Sequence, residues 1–473
     1  MKGPSCSTDV VLGVDVGRAA ITVVALGANL VPGEVIDRRA LDHPADSAAY
    51  PWSVLEALVA AVREAVGVCA VFGHRVQGLS VNTGSPLLLA LDEQGRPLSS
   101  LPDHAESCSA LADRIAGEHG AELHRLTGVP VTPGLPVVEL AWTARHHRDL
   151  FKRAACWTGL KGFLIAQLTG SLVGDVSTWS GNGMLETRTL DWAQPVLDLA
   201  GLRPEQLPEL TPPTTALPMR AEAARELALP AGTPVIVGAS ASATTHLGMR
   251  DAGPGGVALT MGGASALTVL EDGVRRVRSE GISGHVFADG LWVTRGAFDD
   301  GDVAGRCAAE SSRNRAVGMP SPSAWRIPPE SERWHPAYYP APPGSCTGHD
   351  TAMATKALGV VSHLATVHDR MFGPAARTSP IRAAGEVLRS ALWSGLVAAA
   401  LDAPLEIVAT GVAPALGAGL IAWRGLGRLS SLTAESIPVS PPVRTVQPDL
   451  LATAHFVTTH RLAEELARSR IVS

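Results

Sequence analysis

The chain has 473 residues, 46% hydrophobic and 18% charged, and its length predicts two or three domains, with two large lobes as the starting expectation. A formal net charge of -6, a pI near 6.2 and scattered Lys and Arg exclude the basic footprint of a nucleic-acid binder. No apolar run is long and uninterrupted enough to span a bilayer, Leu392–Pro404 carrying Asp402 within it, and Met1–Asp9 lacks a signal peptide's apolar stretch.

Val10–Gly17 and Ile21–Ala25 are β-rich runs joined by a short turn, which predicts a hairpin presenting Asp15. Val54, Leu58, Val62 and Val66 fall at helical spacing, with Ser53 as the expected N-cap. Val76–Val81 and Leu87–Leu91 read as strands, followed by a turn at Asp92–Gly95. Ala110–Leu172 reads as helical, interrupted at Pro130–Pro136, and forms an expected insertion over about residues 108–200. Strand signals return at Pro234–Gly238 and Gly256–Met261, so the lobes are predicted as residues 1–250 and 251–473. A Pro-rich segment over about 311–348 cannot hold long regular elements. Helices are expected over Thr351–Met371 and Ser390–Leu401, and the Gly/Ala-rich run Ala415–Ala422 suits a closely packed one. The six cysteines, with no C-x-x-C pair, read as reduced, mostly buried thiols of a cytoplasmic protein.

An ordered series of short motifs carries a resemblance. Leu126-Thr-Gly-Val-Pro130, Gln167-Leu-Thr-Gly170, Asp175–Gly181, Asp191-Trp192, Leu207-Pro-Glu-Leu210, Gly232-Thr-Pro-Val235 and Ser390-Ala-Leu-Trp393 occur in sequence without large gaps. In this order they resemble the FGGY carbohydrate kinases, xylulokinase-like members most closely. The resemblance implies an α/β fold of two ribonuclease-H-like lobes, as in actin and hexokinase, around a cleft that takes a sugar deep inside and ATP above it. It also implies a cytoplasmic protein with a small-molecule ligand and, as in many relatives, a homodimer.

Kinases of this kind need phosphate turns, a cation site, sugar contacts and a base, because phosphoryl transfer rests on positioning and charge neutralisation. The resemblance puts the first phosphate turn at Asp15-Val-Gly-Arg-Ala-Ala-Ile-Thr22, which keeps Asp15 and Gly17 but lacks the family's hydroxyls and lysine. Asp15 there either faces a metal through water or caps the turn. The sugar-contacting Gln-Met-His-Gly falls on Gly84–Leu87, and W-x-D-x-R becomes His104-Ala-Glu106-Ser-Cys108, with only the acid kept. The proton-abstracting Asp falls on Ala241, which cannot accept a proton. Ser240, Ser242, His246, His104 and Glu106 are the candidate substitutes; His246 alone has a pKa suited to base work, though it reads first as a packed or capping side chain. The second phosphate turn reads Gly262-Gly263-Ala-Ser265, with backbone amides able to cradle an anion. At the adenosine side, Gly385-Glu-Val-Leu-Arg-Ser390 places Glu386 and Val387 where the family has glycines, an expected gain of bulk and negative charge that disfavours an anionic nucleotide. Asp299, Asp300 and Asp302 form an acidic turn that reads either as a cation site or as solvated surface. The expectation is an FGGY homologue with a degraded transfer site that binds a small sugar-like ligand. The alternative is a diverged, active sugar or polyol kinase, for which Mg-ATP would be the cofactor.

Overall fold

A computed structural model describes residues 8–30, 32–41, 48–84, 88–100, 105–249, 255–262, 265–273, 281–298, 349–373, 380–408, 411–433, 437, 441–451, 453, 454 and 456. The chain opens with β1 (Asp9–Val16), β2 (Ala20–Gly27), β3 (Pro32–Ala40), α1 (Tyr50–Val71), β4 (Arg75–Thr83), β5 (Leu88–Leu91) and β6 (Pro97–Ser100). A largely helical stretch follows, with α2 (Ala105–Thr127), α3 (Pro136–His146), α4 (Arg148–Arg153), β7 (Cys156–Gly159), α5 (Leu160–Thr169), β8 (Val173–Asp175), α6 (Val176–Gly181) and α7 (Gln194–Ala200). Then come β9 (Glu209–Thr211), β10 (Ala216–Pro218), α8 (Ala221–Leu227), β11 (Pro234–Ile236) and α9 (Ala241–Gly248). The second half holds β12 (Val257–Thr260), β13 (Ser265–Asp272), β14 (Ile282–Val286), β15 (Leu291–Phe298), α10 (His349–Phe372) and β16 (Ile381–Ala384). It ends with α11 (Ala391–Leu401), β17 (Leu405–Ile407), α12 (Ala413–Gly425) and β18 (Arg444–Val446).

Two sheets share one strand order. In the first, β1 pairs antiparallel with β2, β2 antiparallel with β3, and β4 lies parallel between β1 and β11. In the second, β12 pairs antiparallel with β13 and β13 with β15, while β16 lies parallel between β12 and β17. This repeated order is the ribonuclease-H-like arrangement expected from the resemblance. The first sheet uses no strand beyond β11 and the second none before β12; residues 250–254, where the sequence puts the lobe boundary, lie outside the described residues.

Local chemistry explains most element ends. The hairpin at Asp15 closes where the Gly17 amide donates to Ala20 O at 3.0 Å. Asp175 and Ser240 cap α6 and α9, accepting from Thr178 N and Ala243 N, and Ser390 caps α11. Helix α1 begins three residues ahead of the predicted Ser53 cap: Ala49 is the N-cap, Pro51 sits in the first turn, and Ser53 Oγ instead donates to Tyr50 O. Strand β7 interrupts the stretch read as helical, because β5 supplies an antiparallel partner that periodicity alone cannot reveal.

Helix α12 ties the halves together. It packs on β1 and α9 through glycines: a Cβ added at Gly13, Gly248 or Gly417 would run into the backbone carbonyls of Ala415, Ala413 and Thr244. The apolar cluster around it draws on both sheets, joining Val11, Leu26 and Ile236 of the first to Phe287 and Val293 beside or within the second.

Candidate functional site

A cavity of about 390 Å³ lies between the lobes. One wall is the end of β4 at Thr83 and Gly84, the C-terminal end of α6 at Asn182, and the first turn of α9. The other is one face of the second sheet. Side chains two apart on a strand share a face, and residues opposite each other on neighbouring strands stand abreast. Ser283 of β14 is paired with Arg295 of β15, and Arg295 with Thr268 of β13, so a polar row crosses three strands and lines the cavity.

Ala241 is the first residue of α9 and turns its methyl group into this lining. Around it the hydroxyls are organised by His285, two residues from Ser283. His285 Nε2 lies 3.0 Å from Ser240 Oγ and 3.3 Å from Ser242 Oγ, and Ser177 Oγ donates to Ser240 Oγ at 3.2 Å. Burial, then the neighbouring Arg295 cation, pushes the His285 imidazole down to about 3. It is therefore neutral across the physiological range, and its buried Nδ1 has no partner among the described residues.

The α9 entry is held from behind. Lys161 Nζ lies 2.7 Å from Asp175 Oδ2 and donates to Thr178 Oγ1 at 2.8 Å and to Ala239 O at 2.7 Å. Both members of the ion pair are buried. One ammonium thus joins α5, the start of α6 and the turn into α9, and fixes where Ser240 and Ala241 begin.

Asp15 sits at the end of β1 with Oδ1 accepting from Asn82 Nδ2 at 2.8 Å. Burial pushes its carboxyl up to about 7, against the lowering effect of the Asn82 amide. Gly262 and Gly385 both have strongly positive φ, +135° and +138°, and meet back to back: a Cβ at Gly262 would lie 4.0 Å from Glu386 N. The open backbone at Gly262 suits phosphate oxygens, while Gly385 is packed against the Met261 carbonyl, and Asp15, once ionised, suits a cation. These are the residues that would hold Mg-ATP.

The structure places several residues singled out from the sequence and corrects the reading of Val387. His246 does not enter the cavity: it is buried, with Nδ1 3.0 Å from Thr268 Oγ1, and burial pushes its imidazole down to about 4, which leaves it a packed side chain. Val387 does not add bulk on the nucleotide side, because it is directed into the second lobe's core, while Glu386 is exposed and pairs with Arg389 at 3.2 Å. Cys108 is buried in an apolar cluster. Glu106 lies on α2, and nothing in the described residues places its side chain; His104, Gly263, Asp299 and Asp300 lie outside the described residues. Among the described residues, no group of three or more His, Cys, Asp or Glu is gathered as for a metal ion, and no helix is long and apolar enough to cross a membrane. His285, Arg295, Lys161 and Asn82 were not singled out from the sequence. The alternation of Ser283 and His285 on β14 is a weak signal for the first and none for Arg295 on β15.

Two sheets of ribonuclease-H-like order about a polar cleft define the two-lobed α/β class to which actin and hexokinase belong. The chain belongs to the FGGY family of carbohydrate kinases, whose N-terminal domain matches residues 10–248. It is 24% identical over 467 residues to a gluconokinase of Bacillus subtilis (strain 168), covering 91% of this chain and 90% of that one. It is 26% identical over 401 residues to an autoinducer-2 kinase of Escherichia coli (strain K12), covering 78% and 74%. Its fold matches the crystal structure of a gluconate kinase from Lactobacillus acidophilus with a TM-score of 0.80 at 20% identity, over 98% of both chains. A ligand-bound xylulose kinase from the same organism superposes with a TM-score of 0.79 at 20% identity, over 98% and 99%.

Proposed function

We propose that this FGGY-family protein binds a small polyhydroxylated ligand in the interlobe cavity and does not transfer phosphate at the rate of its relatives. The observation that carries this reading is the methyl group of Ala241 at the start of α9, in a cavity with no carboxylate among its described lining residues. Loss of a general base lowers a rate by about 10² to 10⁴, and His285, the imidazole in reach, is held neutral and bonded to two serines. The gluconokinase relatives make gluconate the first ligand to try.

The second reading, an active sugar or polyol kinase, is favoured by Asp15 and its Asn82 bond, by the open backbone at Gly262, and by the length of chain shared with kinases. Calorimetry with Mg-ATP, followed by a coupled assay over gluconate, pentuloses and polyols, separates the two. The first reading expects weak nucleotide binding and turnover lower than an active relative's by about 10² or more. Turnover at a relative's rate on any of these substrates sinks it.

A further inference from the structure

The cavity carries one formal charge among its described lining residues, and that charge is positive. Arg295 stands in the middle of β15, between the hydroxyl-bearing Ser283 and Thr268 on its two neighbouring strands. Its guanidinium has no carboxylate partner and donates no side-chain hydrogen bond among the described residues, although its surroundings are dry enough to lower its pKa. An arginine stays protonated at neutral pH and offers five donors in a planar fork. Leaving such a group unpaired in a half-buried place is costly, and a carboxylate or phosphate binding it in bidentate fashion offsets that cost. Elsewhere the enclosed arginine of the second sheet is paired: Arg382, on β16, lies 3.2 Å from Glu406. At Arg295 the space where an acid would stand is the cavity itself.

The rest of the lining is uncharged and rich in hydroxyls. Thr83, Ser242, Thr268 and Ser283 line the same space as the Asn182 amide, a set that suits the several hydroxyls of a carbon chain. A volume of about 390 Å³ is enough for a six-carbon ligand. The substitution at 241 belongs to the same picture. A carboxylate there would add a negative charge to the lining; Ala241 adds none.

Building on the cleft-binding reading above, we propose that the cavity is specific for an anionic polyhydroxylated ligand, a carboxylate or phosphate ester on a hydroxylated carbon chain, with Arg295 as the contact for the anion. A neutral sugar would leave the guanidinium unpaired and is the poorer ligand.

The test is calorimetry on the full chain with gluconate, its neutral counterpart glucitol, and glucose 6-phosphate, using the parent protein, Arg295→Met and Arg295→Lys. The parent binds gluconate or glucose 6-phosphate at least about 10-fold more tightly than glucitol. Which of the two anions binds better identifies the carboxylate or the phosphate ester as the source. Arg295→Met loses the preference while its melting temperature without ligand equals or exceeds the parent's, since an unpaired charge has been removed; Arg295→Lys keeps part of the preference. Equal affinity for glucitol and both anions overturns the proposal and leaves the cleft-binding reading standing, as does a preference that survives in Arg295→Met. Failure of both anions to bind overturns it too. Phosphorylation of gluconate by the parent with Mg-ATP sinks the non-transferring reading alone and leaves the anion site intact.

Discussion

Ser240 Oγ and His285 Nε2 lie 3.0 Å apart, so the cap of a first-lobe helix is bonded directly to a second-lobe strand at the floor of the cleft. The same strand is held by the first lobe at three further points: Gly284 N donates to Gly128 O at 2.8 Å, Val286 N donates to Ser180 Oγ at 3.4 Å, and His124 Nε2 lies 3.0 Å from Ile282 O. Replacing His285 by Phe removes the bond and leaves buried serine oxygens short of a partner, at a cost of about 1 to 3 kcal/mol. Urea unfolding will register this loss, and His285→Gln, which keeps an amide in place of the imidazole nitrogen, will recover part of it.

Ala241→Asp puts a carboxylate back at the first residue of α9. Turnover with saturating Mg-ATP and gluconate is expected to rise by about 10² or more over the parent. Anion binding should weaken in the same variant, because the introduced carboxylate adds a negative charge to the lining. A coupled assay and calorimetry on one preparation check both outcomes.

The Asp15 carboxyl titrates near 7 in the folded protein and near 3.8 when unfolded. Between those values the folded state keeps a proton that the unfolded state has released, so this group makes stability fall as pH rises through the window. Asp15→Asn removes that dependence, and its advantage over the parent in urea unfolding grows from about pH 4 to about pH 7. The parent should also release a proton on binding a divalent cation at neutral pH, seen as a buffer-dependent heat that Asp15→Asn lacks.

His246 acts with the opposite sign. Its imidazole is held at about 4 against 6.5 for the ordinary side chain, so stability is lost as pH falls through that interval, where only the unfolded state takes up the proton. His246→Gln will flatten the acid limb of the stability curve and leave the limb above pH 7 unchanged.

Lys161→Met removes the ammonium but leaves Asp175 buried and charged, which costs about 3 to 5 kcal/mol. The double variant Lys161→Met, Asp175→Asn keeps a capping oxygen for α6 without the stranded charge. It should recover a substantial part of the loss in thermal unfolding.

The first sheet's hairpin, the caps at Ser390 and Asp175, and the close packing of Ala415–Ala422 are written in local signals: turn residues, capping side chains, small residues at helical spacing. The methyl at 241 was legible because an ordered series of motifs fixes its position. His285 and Arg295 were not, because β13 and β15 show no clean polar–apolar alternation, Arg295 sharing its face with Leu291, Val293 and Ala297, and no strand pattern tells a face open to solvent from one open to a cleft. Lys161 was hidden for the opposite reason. It sits in an apolar helical stripe and is tolerated there only by Asp175, on an element the spacing does not connect to it.

Trp423 Nε1 donates to Leu26 O at 3.1 Å across 397 positions of sequence. Because α12 covers the glycine-bared backbone of β1, a nascent chain that has already formed its opening hairpin still shows the ribosome's surroundings an unfinished apolar face. Completion of the first lobe waits for synthesis of the last part of the second, and a fragment cut between the lobes would be left sticky at that seam.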